Sequence, residues 1–403
     1  HGHGAWLIER APWLKDISPE GTTALLGTVA TSVLTLAGVT FSGTLVALTL
    51  ASSQFGPRLL RNFTRARTTQ FTLGILLATH AYALIVLRNV RVGDYSFVPH
   101  IATLGAFILT LLSLTMFIVF IHYVITSIQA ERVVADVREE LDCSIERFFG
   151  LEFYSGQGEE TERRREKEQW DDVGSCRCLP SEKSGYLQGV DIDDLVKLAQ
   201  EHDARCRVLV KPGQYIVHGQ PLLAWQECEV SEENEGQFLG PFLLGMNRTA
   251  EQDFEYCIRQ LVEVALRALS PGINDPFTAM NCIDHLSGAM VQVARKRLPQ
   301  HEFTDSEDVP RVRTPPSTFG GFLGSAFNQI RQAAVDKPDV SMSLLESLYQ
   351  VGKQCRTDDQ IKAVIEQATL TTKVAKQHAE TDMDQQAIEE RFEEFASLTS
   401  EAT

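Results

Sequence analysis

The sequence predicts an α-helical integral membrane protein with an α+β cytoplasmic region. Three uncharged apolar runs, at about residues 22–54, 69–87 and 101–128, are each long enough for a membrane span, because ~18 apolar residues suffice. Residues 173–230 place short β-branched runs between Gly and Pro turns, which predicts a small β module of the barrel or sandwich-hybrid type. Residues 245–403 repeat apolar positions at helical spacing and predict a helical domain.

Charge divides the chain into two parts that predict different surroundings. Residues 1–130 hold eight Lys and Arg against four Asp and Glu, whereas the remaining residues hold 29 against 49. The acidic soluble part argues against nucleic-acid binding, which requires basic surface. All eight cysteines lie between Cys143 and Cys355, which predicts free thiols in a reducing compartment. Cys176 and Cys178 are too closely spaced for an ordinary zinc pair, so no metal site is predicted.

The first apolar run carries small and hydroxylated residues along one helical face. No charge occurs between Glu20 and Arg58, and the small residues recur at heptad spacing, which places them on one side of a helix. We call this set the stripe. It consists of Gly21, Ala24, Thr28, Thr31, Thr35, Gly38, Ser42, Leu45, Thr49 and Ser52.

The stripe allows two interpretations, and the sequence leaves both open. Small residues permit close helix packing in lipid, where hydroxyls bond across helices or back to their own helix. Alternatively, one copy from each subunit faces an axis and lines a hydrated pore. The stripe continues over four heptads, which is longer than a simple two-helix crossing needs. The candidate pore-lining residues are Thr28, Thr31, Thr35, Ser42, Thr49 and Ser52.

A basic connector between the first two runs predicts the orientation. It contains four arginines and no acid: Arg58, Arg61, Arg65 and Arg67. Basic short loops stay in the cytoplasm, so residues 1–20 and the 88–99 loop are expected to be periplasmic and all residues after 130 cytoplasmic. The four arginines are candidates for the inner mouth of a conduit or for contact with lipid headgroups. An outside N-terminus followed by three spans also predicts a further span before His1.

Two histidines, His80 and His122, lie within the second and third apolar runs. Ionisable groups inside membrane spans are costly and often functional, so a proton relay is one interpretation. The other is a neutral histidine that is hydrogen-bonded to a neighbouring helix.

The β module follows a predicted helical extension and charged linker at residues 131–172. Its sequence from Ser184 to Leu222 resembles half of a barrel-sandwich hybrid, the shape of biotinyl and lipoyl carriers. Such carriers need a lysine at an exposed hairpin tip, whereas acidic residues follow Leu223 here. We therefore predict a structural role without a cofactor.

Local signals divide the helical domain. Thr249 and Gln252 have the spacing of a capping box, which predicts a helix from residue 249 to about 269. Asp275 precedes Pro276 as a cap precedes a first helical residue. Residues 301–317 are polar and contain prolines, which predicts a loop. Further helices are expected at about 323–335, 341–354, 358–377 and 383–398.

Catalytic signatures are absent from the sequence. It contains no GKS/T phosphate loop, HExxH, GxSxG or GxGxxG after a strand. Asp275 and His285 could form an acid/base pair near the helix break, but a capped helix turn is the simpler interpretation. We therefore do not predict an enzyme.

Two segments, LTLASSQFGPRLLRNF at Leu48–Phe63 and LVEVALRALSPGINDPFTA at Leu261–Ala279, carry a family resemblance. The chain resembles, over nearly its whole length, a bacterial family of predicted inner-membrane proteins without an assigned function. Members usually begin with an additional membrane helix, and many have Ser where this chain has Gly56. The resemblance implies a membrane location and this architecture, but no catalytic residues.

These observations predict an oligomeric bacterial inner-membrane protein that forms a conduit for ions or small solutes. Arginine at the inner mouth would favour anions. Membrane lipids and further copies of the chain are the expected partners. The alternative is a non-conducting scaffold or sensor whose cytoplasmic domain binds another protein, with the stripe used for packing and the arginines for lipid headgroups.

Overall fold

The computed structural model describes residues 18–55, 67–93, 96–127, 130–150, 177–226 and 234–400. The chain divides into two compact units, His1–Val133 and Val134–Thr403. The fold is mostly helical and includes a small α/β sheet region, which confirms the fold class at this level. The charged linker at 151–172 and most of the predicted 1–20 segment lie outside the described residues.

The first unit contains three long helices, α1 (Pro19–Phe55), α2 (Arg67–Asn89) and α3 (His100–Ser127). Each is long and apolar enough to cross a membrane, as the uncharged runs predict. Within the unit, α1 and α3 both pack against α2, and α1 also contacts α3.

The second unit begins within helix α4 (Ala130–Phe149), the predicted extension, and continues with strands and short helices. The strands are β1 (Arg177–Pro180), β2 (Gly185–Val190), β3 (Arg205–Val208), β4 (Tyr215–Ile216), β5 (Pro221–Gln226) and β6 (Phe242–Gly245). Helix α5 (Ile192–Glu201) connects β2 to β3, and a 3-10 turn (Glu235–Leu239) precedes β6.

Two further strands, β7 (Glu302–Thr304) and β8 (Pro310–Arg313), form a hairpin within residues 301–317. The prediction of a loop there was wrong. The hairpin completes a five-stranded sheet in the order β1-β5-β3-β8-β7, in which β3 and β8 run parallel and pair Cys206 with Val312. Two of its polar residues, Asp305 and Arg311, form a buried ion pair at 2.7 Å, which a loop assignment does not anticipate. The strands therefore extend beyond residues 173–230.

A second, three-stranded sheet has the order β4-β2-β6 and is antiparallel throughout. The two sheets share one apolar core with the inner face of α5, where Leu195 and Ala199 are fully buried. Leu187, Leu223 and Val312 contribute from three different strands.

The remaining helices are α6 (Phe254–Ala268), α7 (Pro276–Arg295), α8 (Phe319–Ala333), α9 (Pro338–Gly352), α10 (Asp358–His378), α11 (Asp382–Glu393) and α12 (Ala396–Ser400). Asp275 caps α7 as expected, because its Oδ1 accepts from the Thr278 amide at 3.1 Å and Pro276 follows it.

The capping box predicted at Thr249 and Gln252 was wrong. Helix α6 begins five residues after Thr249, at Phe254, and Asp253 is its cap, accepting from the Tyr256 amide at 3.1 Å. Gln252 instead binds the backbone of Val190, at the end of β2. The local spacing was compatible with a cap, but a partner 62 residues upstream took the side chain.

Helix α4 is anchored within the second unit by polar and aromatic contacts. Arg138 forms an ion pair with Asp142 at 2.8 Å and donates to the carbonyl of His285, and Gln292 donates to Asp142 at 2.9 Å. At the end of α4, Phe148 stacks on Phe254 with ring centroids 5.8 Å apart. The predicted helical extension is therefore part of the folded second unit.

Candidate functional site

Helix α1 has one face that packs within the first unit. The buried residues of this face recur every third or fourth position from Thr22 to Thr40 and again at Ala47: Thr22, Leu26, Ala30, Val33, Ala37, Thr40 and Ala47. The alternation of small and larger side chains lets α2 approach closely, because small residues reduce the distance between backbones. This face of α1 therefore makes contacts within the chain itself and is not accessible to another copy.

The stripe lies on the opposite side of α1. Five of its candidate residues have exposed side chains: Thr28, Thr31, Thr35, Ser42 and Thr49. Gly21, Ala24, Gly38 and Leu45 are exposed as well, while Ser52 lies in α1 but its side chain is not among those described. Packing inside one copy of the chain therefore does not account for the stripe.

The threonine hydroxyls of the stripe donate to their own helix. Thr28 donates to the Ala24 carbonyl at 2.8 Å, Thr31 to Gly27 at 3.0 Å, and Thr35 to Thr31 at 2.9 Å. Thr49 donates in the same way to Leu45, at 2.8 Å. Such bonds satisfy the hydroxyl proton without a neighbouring helix. The hydroxyl oxygens remain as acceptors on the outside of α1.

The exposed faces of α2 and α3 differ from the stripe. The exposed side chains of α3 are mostly large and apolar, and include Ile108, Leu111, Ile118 and Ile125. Helix α2 exposes Phe71, Leu77 and Ile85 but also the small residues Gly74, Ala78 and Ala81. Large apolar residues are what acyl chains favour next to a helix. The stripe differs from α3 in presenting hydroxyl groups along one face, although Val39 and Val46 are exposed beside it on α1.

Hydrogen bonds of polar side chains also connect the three helices, and the sequence alone did not predict which residues would be partners. The ring Nδ1 of His80 lies 2.9 Å from the Ala30 carbonyl of α1, in agreement with a hydrogen-bonded structural histidine. The hydroxyls of Thr79 and Ser113 lie 2.8 Å apart, and both side chains are fully buried. His122 is exposed on α3. Helical periodicity predicts which face of a helix carries these residues, but it does not predict the residues on other helices that they contact.

The arginine cluster is described only at its end. Arg67 is exposed and begins α2, whereas Arg58, Arg61 and Arg65 lie outside the described residues. The inner-mouth assignment of all four therefore remains a prediction.

Asp275 and His285 do not form an acid/base pair. They lie ten residues apart on α7, which corresponds to about 15 Å along a helix. Asp275 is occupied as the cap, and burial together with nearby Arg138 lowers the pKa of His285. Among the described residues, no group of three or more His, Cys, Asp and Glu is placed to hold a metal ion.

Comparison with known proteins finds similarity to a family of predicted membrane proteins. A family model described as "Predicted membrane protein (DUF2254)" matches residues 4–350, which confirms the resemblance seen in the sequence. The chain is 30% identical over 380 residues to "Uncharacterized protein Mb1321c" of Mycobacterium bovis, covering 92% of this chain and 71% of the relative. "Uncharacterized protein Rv1290c" of Mycobacterium tuberculosis is similar to the same extent. No solved structure matches the chain.

Proposed function

The chain belongs to the DUF2254 family of predicted membrane proteins, and from this premise we propose that it is one subunit of an oligomeric inner-membrane conduit for ions or small solutes. Three helices would span the membrane, with the second unit in the cytoplasm. The stripes of several copies would face a common axis and line the path. The observation that carries the proposal is the exposure of the stripe opposite the packed face of α1.

Two contrasts support this arrangement over a stripe that faces lipid. The exposed residues of α3 are mostly large and apolar, whereas those of the stripe, apart from Leu45, are small or hydroxylated. The stripe also runs along most of α1, so copies packed side by side would present it to one another or to water over the depth of a bilayer. Water within a pore can donate to the outward hydroxyl oxygens.

The hydrogen bonds of the threonines bear on selectivity. Because the hydroxyl protons of Thr28, Thr31, Thr35 and Thr49 are used within α1, the path would offer oxygen acceptors, which favour cations. Arginines at the mouth would instead favour anions. The reversal potential under a salt gradient separates the two, since its sign identifies the more permeant ion.

The test is ion flux through the full chain reconstituted in liposomes. We expect flux from the natural chain and its loss in the double variant Thr35→Leu and Ser42→Leu, because leucine closes and dries the path. Thr115→Leu is the matched control, since Thr115 is an exposed, back-bonded threonine of α3 outside the stripe. The oligomeric state of all three proteins is measured in parallel, so that loss of assembly is distinguished from a blocked path.

A scaffold or sensor is the second candidate. The outer face of the three-stranded sheet exposes Tyr215, Val217 and Leu243, each more than half exposed, which suits contact with a cytoplasmic protein. The absence of flux across several salts and voltages, together with a dimer that buries the stripe, would overturn the conduit in favour of this function.

A further inference from the structure

The second unit contains a partly open cavity of about 400 Å³ that the proposed function does not use. It lies where the last turn of α4, strands β2 and β3, the first turn of α6 and the segments flanking the β7–β8 hairpin come together. Its volume falls within the range of small-molecule sites, about 300–1,000 Å³. The cavity lies wholly within one unit and does not depend on assembly of the membrane helices.

Apolar side chains form most of its wall. Val190, Val208 and Val210 are each almost fully buried, as are Phe254 and Phe322. The rings of Phe254 and Phe322 meet edge to face with centroids 5.1 Å apart, and Phe148 stacks on Phe254. These two rings therefore already have aromatic neighbours, whereas Phe148 and Phe303 remain partly exposed and also line the cavity. The apolar part of a ligand would pack here.

The rim of the cavity carries both signs of charge, and several of these groups already have partners. Asp253 is paired with Arg248 at 2.5 Å. Glu255 accepts from Ser325 at 3.0 Å and is paired with Arg259. These acids are therefore neutralised by the protein, and a ligand would gain little by displacing their partners.

Arg147 and Glu251 are different. Within the part of the chain that the structure describes, neither side chain forms an ion pair or a hydrogen bond, and both line the cavity. Lys211 adds a second cation: its Nζ donates to the Pro316 carbonyl at 2.8 Å, which leaves two of its three protons for another acceptor. The cavity is therefore lined by one carboxylate, Glu251, and two cationic side chains, Arg147 and Lys211, that can still bind a charged ligand.

From this combination we propose that the cavity binds a small zwitterion with an aromatic body, the chemical class of aromatic amino acids and their short peptides. The carboxylate lies against Arg147 and Lys211, the ammonium group against Glu251, and the ring packs on the partly exposed Phe148 and Phe303. An arginine forms paired hydrogen bonds with a carboxylate, which gives the site orientation as well as affinity. The inference does not rest on conduction.

Binding is tested with the full chain in lipid nanodiscs and with three probes of one shape. L-phenylalanine carries both charges, phenylacetate lacks the ammonium group, and 2-phenylethylamine lacks the carboxylate. Calorimetric titration should give saturable binding of L-phenylalanine and at least about tenfold weaker binding of the other two, since each loses one charged contact. Equal affinities for all three probes, or no binding of L-phenylalanine up to its solubility limit, would overturn the proposal.

Two variants give a crossed pattern that nonspecific partitioning into lipid cannot produce. Arg147→Gln should weaken L-phenylalanine and phenylacetate but leave 2-phenylethylamine unchanged. Glu251→Gln should weaken L-phenylalanine and 2-phenylethylamine but leave phenylacetate unchanged. Arg132→Gln is the control, because Arg132 is an exposed arginine of the same helix α4 and does not line the cavity. Unfolding temperatures equal to that of the natural chain would establish that the variants fold, and the absence of the crossed pattern would refute the assignment.

Discussion

The side-chain amide of Gln252 forms hydrogen bonds with both the amide and the carbonyl group of Val190. The Val190 amide donates to Oε1 at 2.9 Å, and Nε2 donates to the Val190 carbonyl at 3.1 Å. Val190 ends β2 and is almost completely buried, so its polar groups have little access to water. Gln252 thus fastens the segment before α6 to the three-stranded sheet.

We expect Gln252→Ala to lower the free energy of unfolding by about 1–3 kcal/mol, because it leaves a buried donor and a buried acceptor without partners. Chemical denaturation of the purified chain measures this. Gln300→Ala is the matched control, since Gln300 is exposed and its loss should change the free energy by less than about 0.5 kcal/mol. Equal effects of the two substitutions would show that the double hydrogen bond does not stabilise the fold.

Gly213 and Gly219 provide a matched test of close packing around the Arg248–Asp253 pair. Both have positive φ, +85° and +84°, so alanine at either position should cost about 1–2 kcal/mol from the backbone alone. A methyl group at Gly213 would also overlap Asp253 and Arg248, whereas Gly219 faces open space.

We therefore expect Gly213→Ala to destabilise the protein by about 1–3 kcal/mol more than Gly219→Ala, because a well-packed site must shift. The difference in unfolding free energy between the two variants removes their common backbone contribution. A difference near zero would mean that Asp253 and Arg248 can move apart without cost.

The Thr79–Ser113 hydrogen bond should stabilise the contact between α2 and α3. Ser113→Ala removes it, and interhelical bonds of this kind contribute roughly 1 kcal/mol in membranes. Reversible unfolding in mixed micelles measures the loss. Thr115→Val is the control, because the Thr115 hydroxyl is exposed and bonds only to the Leu111 carbonyl of its own helix. If Thr115→Val destabilises the protein as much as Ser113→Ala does, the Thr79–Ser113 hydrogen bond does not contribute specifically to stability.

Thiol alkylation should depend on burial and pH. Burial raises the pKa of Cys257 to about 11 and that of Cys282 to about 12. Because the thiolate is the reactive form and its fraction falls as pH drops below the pKa, iodoacetamide at pH ~8 should modify the exposed Cys143 and Cys178 before the buried Cys257 and Cys282. Peptide mass mapping identifies the modified cysteines. Unfolding in urea should make all the thiols reactive. Early modification of Cys282 in the native state would indicate that α7 opens readily.

The long helices and some of their ends could be predicted because their causes are local. A run without charge specifies a possible span, and Asp275 followed by Pro276 specifies a helix start through groups three residues apart. Gln252 was misassigned because local spacing cannot reveal a partner 62 residues away. The polar composition of residues 301–317 predicts a loop, but pairing with β3, more than 90 residues away, determines that part of this segment forms strands.

The candidate site likewise has a part that the sequence predicts and a part that it does not. Heptad spacing identified the face that carries Thr28, Thr35 and Ser42, but period alone does not say whether that face is covered by the rest of the chain. The structure shows it exposed in one copy, and shows which neighbours satisfy its threonines. The cavity had no sequence signal, because its walls come from segments more than 170 residues apart, from Arg147 to Phe322.

The parallel pairing of β3 with β8 has a consequence for how the protein is made. Cys206 is paired with Val312, so the whole of α6 and α7 is translated between two neighbouring strands. Pairing between strands so far apart in the sequence is slow to form. One edge of β3 therefore stays without its partner strand until residue 313 has emerged from the ribosome. Nascent chains that stop before β8 should therefore remain sensitive to protease and prone to associate through that edge. A fragment covering only residues 173–230 should behave in the same way.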